Sequence, residues 1–163
     1  MQEYTHFDND GHPILVDISN KNITSRTAIA EGWVSLPCSV YDVVSTGNLK
    51  KGDPFSIAEL AGIMGAKQTS SLIPLCHTIN LVNIKVKCSL NTERRALHIV
   101  CEATASYSTG VEMEALTGVS IAALCFYDMC KALDKGMVIS DIRLLKKSGG
   151  KSGEWTAEKE YIK

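Results

Sequence analysis

The sequence predicts an α+β fold of the split βαβ plan, β-α-β-β-α-β, with two helices on one face of a four-stranded antiparallel sheet. Three observations predict it. Two segments with alternating apolar residues are joined by a turn, a helical pattern stands on either side of that pair, and β-like stretches open and close the series.

The first strand is expected between Thr24 and Leu36, where Thr27-Ala28-Ile29-Ala30 and Trp33-Val34 are β-like. Asp53-Pro54 then announces a helix, because Asp suits an N-cap and Pro the first helical position. Ile57, Leu60, Ala61 and Met64 follow at helical spacing, and Gly62 and Gly65 would allow close packing. Val82, Ile84, Val86 and Cys88 alternate with Asn83, Lys85 and Lys87, and Leu97, Ile99, Cys101 and Ala103 alternate again beyond the turn-like Asn91-Thr92-Glu93-Arg94. This period of two marks a hairpin with one wet face. Thr109-Gly110-Val111-Glu112 fits a capping box at the head of a long helix, expected to reach Lys135 with Gly136 as its stop. A last strand is expected from Met137 to Leu145. Residues 1–163 are read as one domain, with 1–22 as an N-terminal segment and 147–163 as a Gly/Lys-rich tail, both flexible extensions.

Composition excludes several classes of function. With 163 residues, 45% of them hydrophobic, the chain can bury a core. Lys plus Arg is 17 against 18 Asp plus Glu, so there is no basic excess of the kind nucleic-acid binders carry. No continuous apolar run approaches the roughly 18 residues of a membrane span, and Met1-Gln2-Glu3-Tyr4 lacks a signal-peptide core, so a soluble cytoplasmic protein is expected. The Asn22-Ile23-Thr24 sequon then carries no meaning. Six cysteines stand at 38, 76, 88, 101, 125 and 130 without a CxxC or other ligand spacing. They are read as buried free thiols, with neither zinc nor disulfides.

The long helix is the most informative element. Ala115, Leu116, Val119, Ala122, Ala123, Phe126, Cys130 and Leu133 share one face, expected to lie on the sheet. The opposite side should be wet, yet Thr117, Ile121, Leu124, Asp128, Lys131 and Lys135 run as a stripe with apolar members. A second buried face in a one-sheet domain needs a partner, most simply another copy of the chain. Asp128 and Lys131 are then either an exposed i,i+3 ion pair or, if partly buried, a tuned acid/base pair.

Other charged groups cluster. Lys50 and Lys51 precede the Asp53 cap, where free helix amides favour an anion. Gly150-Lys151-Ser152 imitates a P-loop, but the motif needs Gly at position 145, which is Leu145. The tail Lys146-Lys147-Ser148-Gly149-Gly150 is thus a phosphate-binding loop of another kind or a solvated end. Leu75-Cys76-His77 and Glu112-Met113-Glu114 complete the candidates; His77 could equally be a packed histidine, and the acids could serve the helix N-terminus.

Four stretches in order carry a resemblance: Leu72-Ile73-Pro74-Leu75-Cys76-His77, Thr109 to Thr117 (TGVEMEALT), Tyr127-Asp128-Met129-Cys130-Lys131-Ala132, and Lys147-Ser148-Gly149-Gly150-Lys151-Ser152-Gly153. They resemble the family of molybdenum cofactor biosynthesis protein C, the MoaC family of cyclic pyranopterin monophosphate synthases, over nearly the whole chain. The resemblance implies a lyase that rearranges 3′,8-cyclo-7,8-dihydroguanosine triphosphate to a pyranopterin with a cyclic phosphate and releases pyrophosphate. It implies a ferredoxin-like plait and a hexamer built from dimers, with sites at subunit interfaces. By position Asp128 matches a catalytic aspartate, and Lys51 and Lys131 match catalytic lysines. The segments Leu75-Cys76-His77 and Met113-Glu114 match substrate-binding segments, and Arg26, Lys67 and Lys147 fall where the family's pocket is basic. Thr78 stands where Pro is common after the motif histidine, and Lys50 where His often precedes the motif lysine.

These residue types suit the implied chemistry. Lysines and an arginine would hold a triphosphate and offset charge on departing pyrophosphate. A lysine whose pKa is lowered by neighbouring cations would move protons near neutral pH, which is the role expected of Lys51 and Lys131, with Asp128 orienting or protonating. His77 and Glu114 would hold the base. No nicotinamide, flavin or Fe–S fingerprint is present, so no protein-held redox cofactor is expected, and Mg²⁺ with the triphosphate stays open. Two rival readings are weighed. An RNA-recognition module shares the element order, but its third strand would need stacking aromatics where this chain has Arg95-Ala96-Leu97-His98-Ile99-Val100-Cys101. A non-catalytic nucleotide or metabolite sensor of the same fold would need no acid/base pair, and turnover separates it from an enzyme.

Overall fold

The computed structural model describes residues 6–8, 10–47 and 52–158. Their elements run β1 (Thr24–Ser35), α1 (Cys38–Ser45), α2 (Pro54–Lys67), α3 (Thr69–Leu72), β2 (Leu81–Asn91), β3 (Ala96–Tyr107), α4 (Glu112–Cys130), β4 (Val138–Ser148) and β5 (Trp155–Thr156). The sheet order is β2-β3-β1-β4-β5, and every neighbouring pair is antiparallel. The structure is therefore α+β, with α2 and α4 on one face of the sheet. Beyond the expected series it adds α1, the single turn α3 and the short edge strand β5.

The hairpin forms where the alternation places it. Val86 lies opposite Cys101 and Ile84 opposite Ala103, and the Asn91 side chain accepts the Arg94 amide at 2.8 Å to close the turn. The cap of α2 is also as expected, since the Asp53 carboxylate accepts the amides of Phe55 at 3.0 Å and Ser56 at 3.2 Å. Bonding to Ser56 is the main reason its carboxyl lies below the usual range.

The close packing expected at Gly62 and Gly65 is present, and α2 buries its small residues rather than its large apolar ones. Ala58, Gly62, Gly65 and Ala66 are buried, whereas Leu60 is 55% and Met64 61% exposed, with Ile57 beside them. The physical reason is the closeness of α4. A Cβ on Gly62 would lie 2.8 Å from the Gly118 carbonyl oxygen, and one on Gly65 would lie 2.6 Å from Ile121. Small residues let the two backbones approach, and that seam outweighs the apolar periodicity of the larger side chains. On the sheet side a Cβ at Gly118 would lie 2.6 Å from the Cys101 sulfur.

Ala115, Val119, Ala122, Ala123, Phe126 and Cys130 of α4 enter the core as expected, joined by Val34, Leu97 and Ile99 from the sheet. Leu133 does not, because the helix ends at Cys130 rather than near Lys135. Lys131 closes the last turn through its amide to the Tyr127 carbonyl, and the Tyr127 hydroxyl donates to the Lys135 carbonyl at 3.0 Å, so Gly136 is not the stop. The capping box is absent too: the helix begins after Val111, which makes no side-chain cap hydrogen bond. By length and composition α4 could cross a bilayer, which a search for unbroken apolar runs misses; half of it is buried within the protein, as in a core helix.

β4 continues to Ser148 rather than stopping at Leu145, because Lys146 and Lys147 pair with β1 and with β5. On the uncovered face of the sheet, Glu31 is buried and accepts from Arg143 and from the His98 ring, each at 2.8 Å. All six cysteines are free, but only Cys101 and Cys130 are fully buried; Cys38 is exposed and the others are half-buried. Burial pushes the Cys88 and Cys101 thiols up to about 12.

Gly118→Val tests the seam. Overpacking at this contact should destabilise the fold by about 1–3 kcal/mol, read as a lowered denaturation midpoint, whereas Leu124→Ala on the outer face of α4 should change the unassembled chain little.

Candidate functional site

One cavity of about 300 Å³ brings the two central motifs together, with Leu75, Cys76 and His77 on one side and Glu112, Met113 and Glu114 on the other. The first set comes from the loop after α3 and the second from the first turn of α4. Thr109 and Gly110 complete that second side, and the N-terminal segment supplies His6, Val16, Ile18 and Lys21. His77 is held by its Nε2, 2.8 Å from the Val16 carbonyl oxygen. A carbonyl only accepts, so Nε2 carries the hydrogen and Nδ1 is the ring nitrogen left for another partner.

Glu114 is only 4% exposed, and burial pushes its carboxyl up to about 6, the neighbouring Glu112 charge adding to the rise while its own backbone amide opposes it. Burial also raises the Cys76 thiol, with the Glu114 charge contributing. The cavity thus holds a carboxyl whose pKa burial raises to about 6, and an oriented imidazole on its other side.

The other predicted residues lie elsewhere. Asp128 and Lys131 form an ion pair of 2.5 Å at the far end of α4, both largely exposed within one chain. Asp128 and Glu114 are fourteen residues apart in one helix, roughly 21 Å along its axis at about 1.5 Å per residue. Bonding to Asp128 and its charge raise the Lys131 pKa, opposite to the lowering expected from neighbouring cations. The stripe of α4 divides: Thr117 is buried and Ile121 rests on Gly65, but Leu124 is 56% exposed, as are its charged members beyond.

Arg26 on β1 donates to the carbonyls of Tyr107 and Ser108, at 3.2 and 3.4 Å, beside the loop that enters the cavity. Gly149 and Gly150, both at positive φ, turn the chain against Arg26, and a Cβ on either would collide with β1 or the guanidinium. Lys147, just before that turn, bonds the Ser152 hydroxyl. Lys67 is exposed in the last turn of α2. Lys51, with Lys50, lies outside the described residues.

Reasoning from sequence missed Lys21, Val16 and Ile18, which it placed in a flexible extension; the short apolar run Ile14-Leu15-Val16 was the available signal. A larger concavity of about 800 Å³ on the open sheet face, between Trp33, Arg94, Arg143 and Trp155, contains none of the predicted site residues. Within it Glu31 is held by Arg143 and His98, and Arg94 lies over the Trp33 ring at 4.6 Å. Among the described residues, the carboxylates and ring nitrogens of Asp8, Asp10 and His12 converge closely enough for a metal, but all three are exposed, and a turn in which Asp8 accepts the amides of Asp10 and His12 accounts for the grouping.

Fold and site together define an α+β protein with a buried-carboxylate pocket at a helix N-terminus and an aspartate–lysine pair at the same helix's other end. Residues 15–150 match the MoaC family. The chain is 50% identical over 151 residues to a cyclic pyranopterin monophosphate synthase of Clostridium perfringens (strain 13 / Type A), covering 93% of this chain and 96% of the relative. It is 50% identical over 158 residues to the synthase of that name from Lysinibacillus sphaericus, at 96% and 99% coverage. The corresponding protein of Rhodospirillum rubrum is 51% identical over 154 residues, at 94% and 92% coverage. The chain belongs to the MoaC family.

Glu114→Gln tests the electrostatics of the pocket. The buried carboxyl binds its proton more tightly folded than unfolded, so its contribution to stability is complete below the unfolded value and is lost as pH rises through about 6. The stability of the wild type relative to Glu114→Gln should therefore fall by on the order of 1–2 kcal/mol between pH 4.5 and pH 7, measured by denaturant titration at each pH. A pH-independent difference would contradict the raised pKa.

Proposed function

We propose that the chain is a cyclic pyranopterin monophosphate synthase, a lyase of molybdenum cofactor biosynthesis that converts 3′,8-cyclo-7,8-dihydroguanosine triphosphate to cyclic pyranopterin monophosphate and pyrophosphate. The observation that carries the reading is the cavity uniting Leu75-Cys76-His77 with Glu112-Met113-Glu114 in a chain half identical to synthases over nearly its full length. A guanine-derived base offers adjacent N–H donors, and a carboxylate such as Glu114 accepts two of them at once. A group ionising near 6 also exchanges protons with ring nitrogens at neutral pH.

Release of pyrophosphate accompanies formation of the cyclic phosphate. A substrate hydroxyl oxygen bonds to the α-phosphorus, its proton passes to a base, and the bond from the α-phosphorus to the bridging oxygen breaks, leaving that oxygen's negative charge on pyrophosphate. Lys131, kept protonated by Asp128, suits the acid and charge-stabilising part of this step better than the base. Lys51, Lys67, Arg26 and Lys147 are the further cations assigned to the phosphates.

The reading also includes an assembly. Leu60, Met64 and Leu124 present apolar surface where α2 and α4 adjoin, Cys125 lying against the Ile57 carbonyl. The roughly 21 Å between Glu114 and Asp128 is too long for both to attend one reacting centre, so the site is read as formed between copies, in a homohexamer built as a trimer of dimers. The four principal strands in the order β2-β3-β1-β4 support a ferredoxin-like plait, read here as one domain acting in the cytoplasm.

The test supplies the cyclic dihydroguanosine triphosphate to purified protein and follows pyrophosphate and pterin. Wild type should turn over, and Asp128→Ala and Lys131→Ala, folded by circular dichroism, should lose about 100-fold or more. Tight binding without turnover by the wild type would instead identify a sensor.

A further inference from the structure

We propose that Lys21 binds the phosphate-bearing part of the substrate, making the Val16–Lys21 segment a working wall of the pocket; this rests on the synthase reading above. Among the described residues lining the cavity, Lys21 is the one lysine or arginine, and the other full charges there are the carboxylates of Glu112 and Glu114. A nucleotide triphosphate has hydrogen-bond donors on its base and several negative charges on its phosphates. Two carboxylates suit the base and repel the phosphates, so the anionic end turns toward the cation. Lys21 has no carboxylate within ion-pair distance among the described residues, so its charge is available.

The segment is fixed at both motif loops. The Lys21 amide donates to the Ile18 carbonyl at 3.1 Å, closing a turn, and the Lys21 carbonyl accepts the Ser108 hydroxyl at 3.1 Å. The Val16 carbonyl takes the His77 hydrogen bond. Ser108 also receives Arg26 on its carbonyl, so one residue of the loop before α4 ties Lys21 to a second cation of the site. The lysine stem therefore starts from an anchored backbone, which lowers the ordering cost of meeting an anion.

Steady-state kinetics of Lys21→Met and Lys21→Arg, with calorimetric titration of inorganic pyrophosphate into each protein, test the assignment. Lys21→Met should raise KM and the pyrophosphate Kd about 10-fold or more, leave kcat within about threefold and leave the melting temperature unchanged, while Lys21→Arg restores most of both affinities. Unchanged pyrophosphate affinity in Lys21→Met would overturn the proposal. So would parallel losses of kcat and thermal stability that Lys21→Arg does not repair, since these mark a structural role. The synthase reading fails separately, on absence of wild-type turnover, whereas the Lys21 assignment fails on pyrophosphate affinity.

Discussion

Helix α4 is the constraint on which the rest of the structure depends. Its 19 residues lie against the sheet and against α2, and they do so at a separation that only Gly62, Gly65 and Gly118 permit. Because a helix rises about 1.5 Å per residue, the two chemical ends of α4 are held at a set distance that side-chain motion does not close. One end places Glu112, Met113 and Glu114 into the cavity, and the other presents Asp128 and Lys131. On the proposed reading the two ends are half-sites, and pairing of chains is the simple way to bring unlike halves together.

The two ends also differ in how they hold protons. At the N-terminal end burial disfavours the charged form of Glu114 and brings its titration to about 6. At the C-terminal end the exposed Asp128 carboxylate holds a proton on Lys131. A group that changes charge near neutral pH suits exchange with a heterocycle, and a persistent cation suits a departing phosphate. This difference in proton holding follows from burial and pairing.

Much of the fold was legible because its signals are local. The alternation of 82–88 and 97–103 and the Asp53-Pro54 cap depend on residues a few positions apart, and each forms where expected. The packing of α2 was legible in part: Gly62 and Gly65 mark a close approach, but that Gly118 and Ile121 fill it depends on residues distant in sequence. The end of α4 was missed for a similar reason, since the Tyr127 hydroxyl reaching the Lys135 carbonyl leaves no pattern in composition. In the site, the stretches at 75–77 and 112–114, candidates by residue type and given a substrate-binding role by resemblance, meet in one cavity. The wall at Val16–Lys21 was hidden because its bonds to His77 and Ser108 span 61 and 87 positions. Within one chain the Lys131 pKa is raised rather than lowered, because the nearest charge is its own helix neighbour Asp128.

The claim on which the account turns is that the two ends of α4 serve one reaction from different copies of the chain. The direct measurement co-expresses Asp128→Ala and Glu114→Ala chains under separate tags, purifies assemblies carrying both, and assays pyrophosphate release. The account predicts that two individually inactive proteins regain activity together, with about a quarter of the wild-type rate for random pairing across a two-fold interface, where half the pairs are mixed and one of their two sites is intact. Mixed assemblies no more active than their parents would contradict it, and would place both ends of α4 in sites built from a single chain.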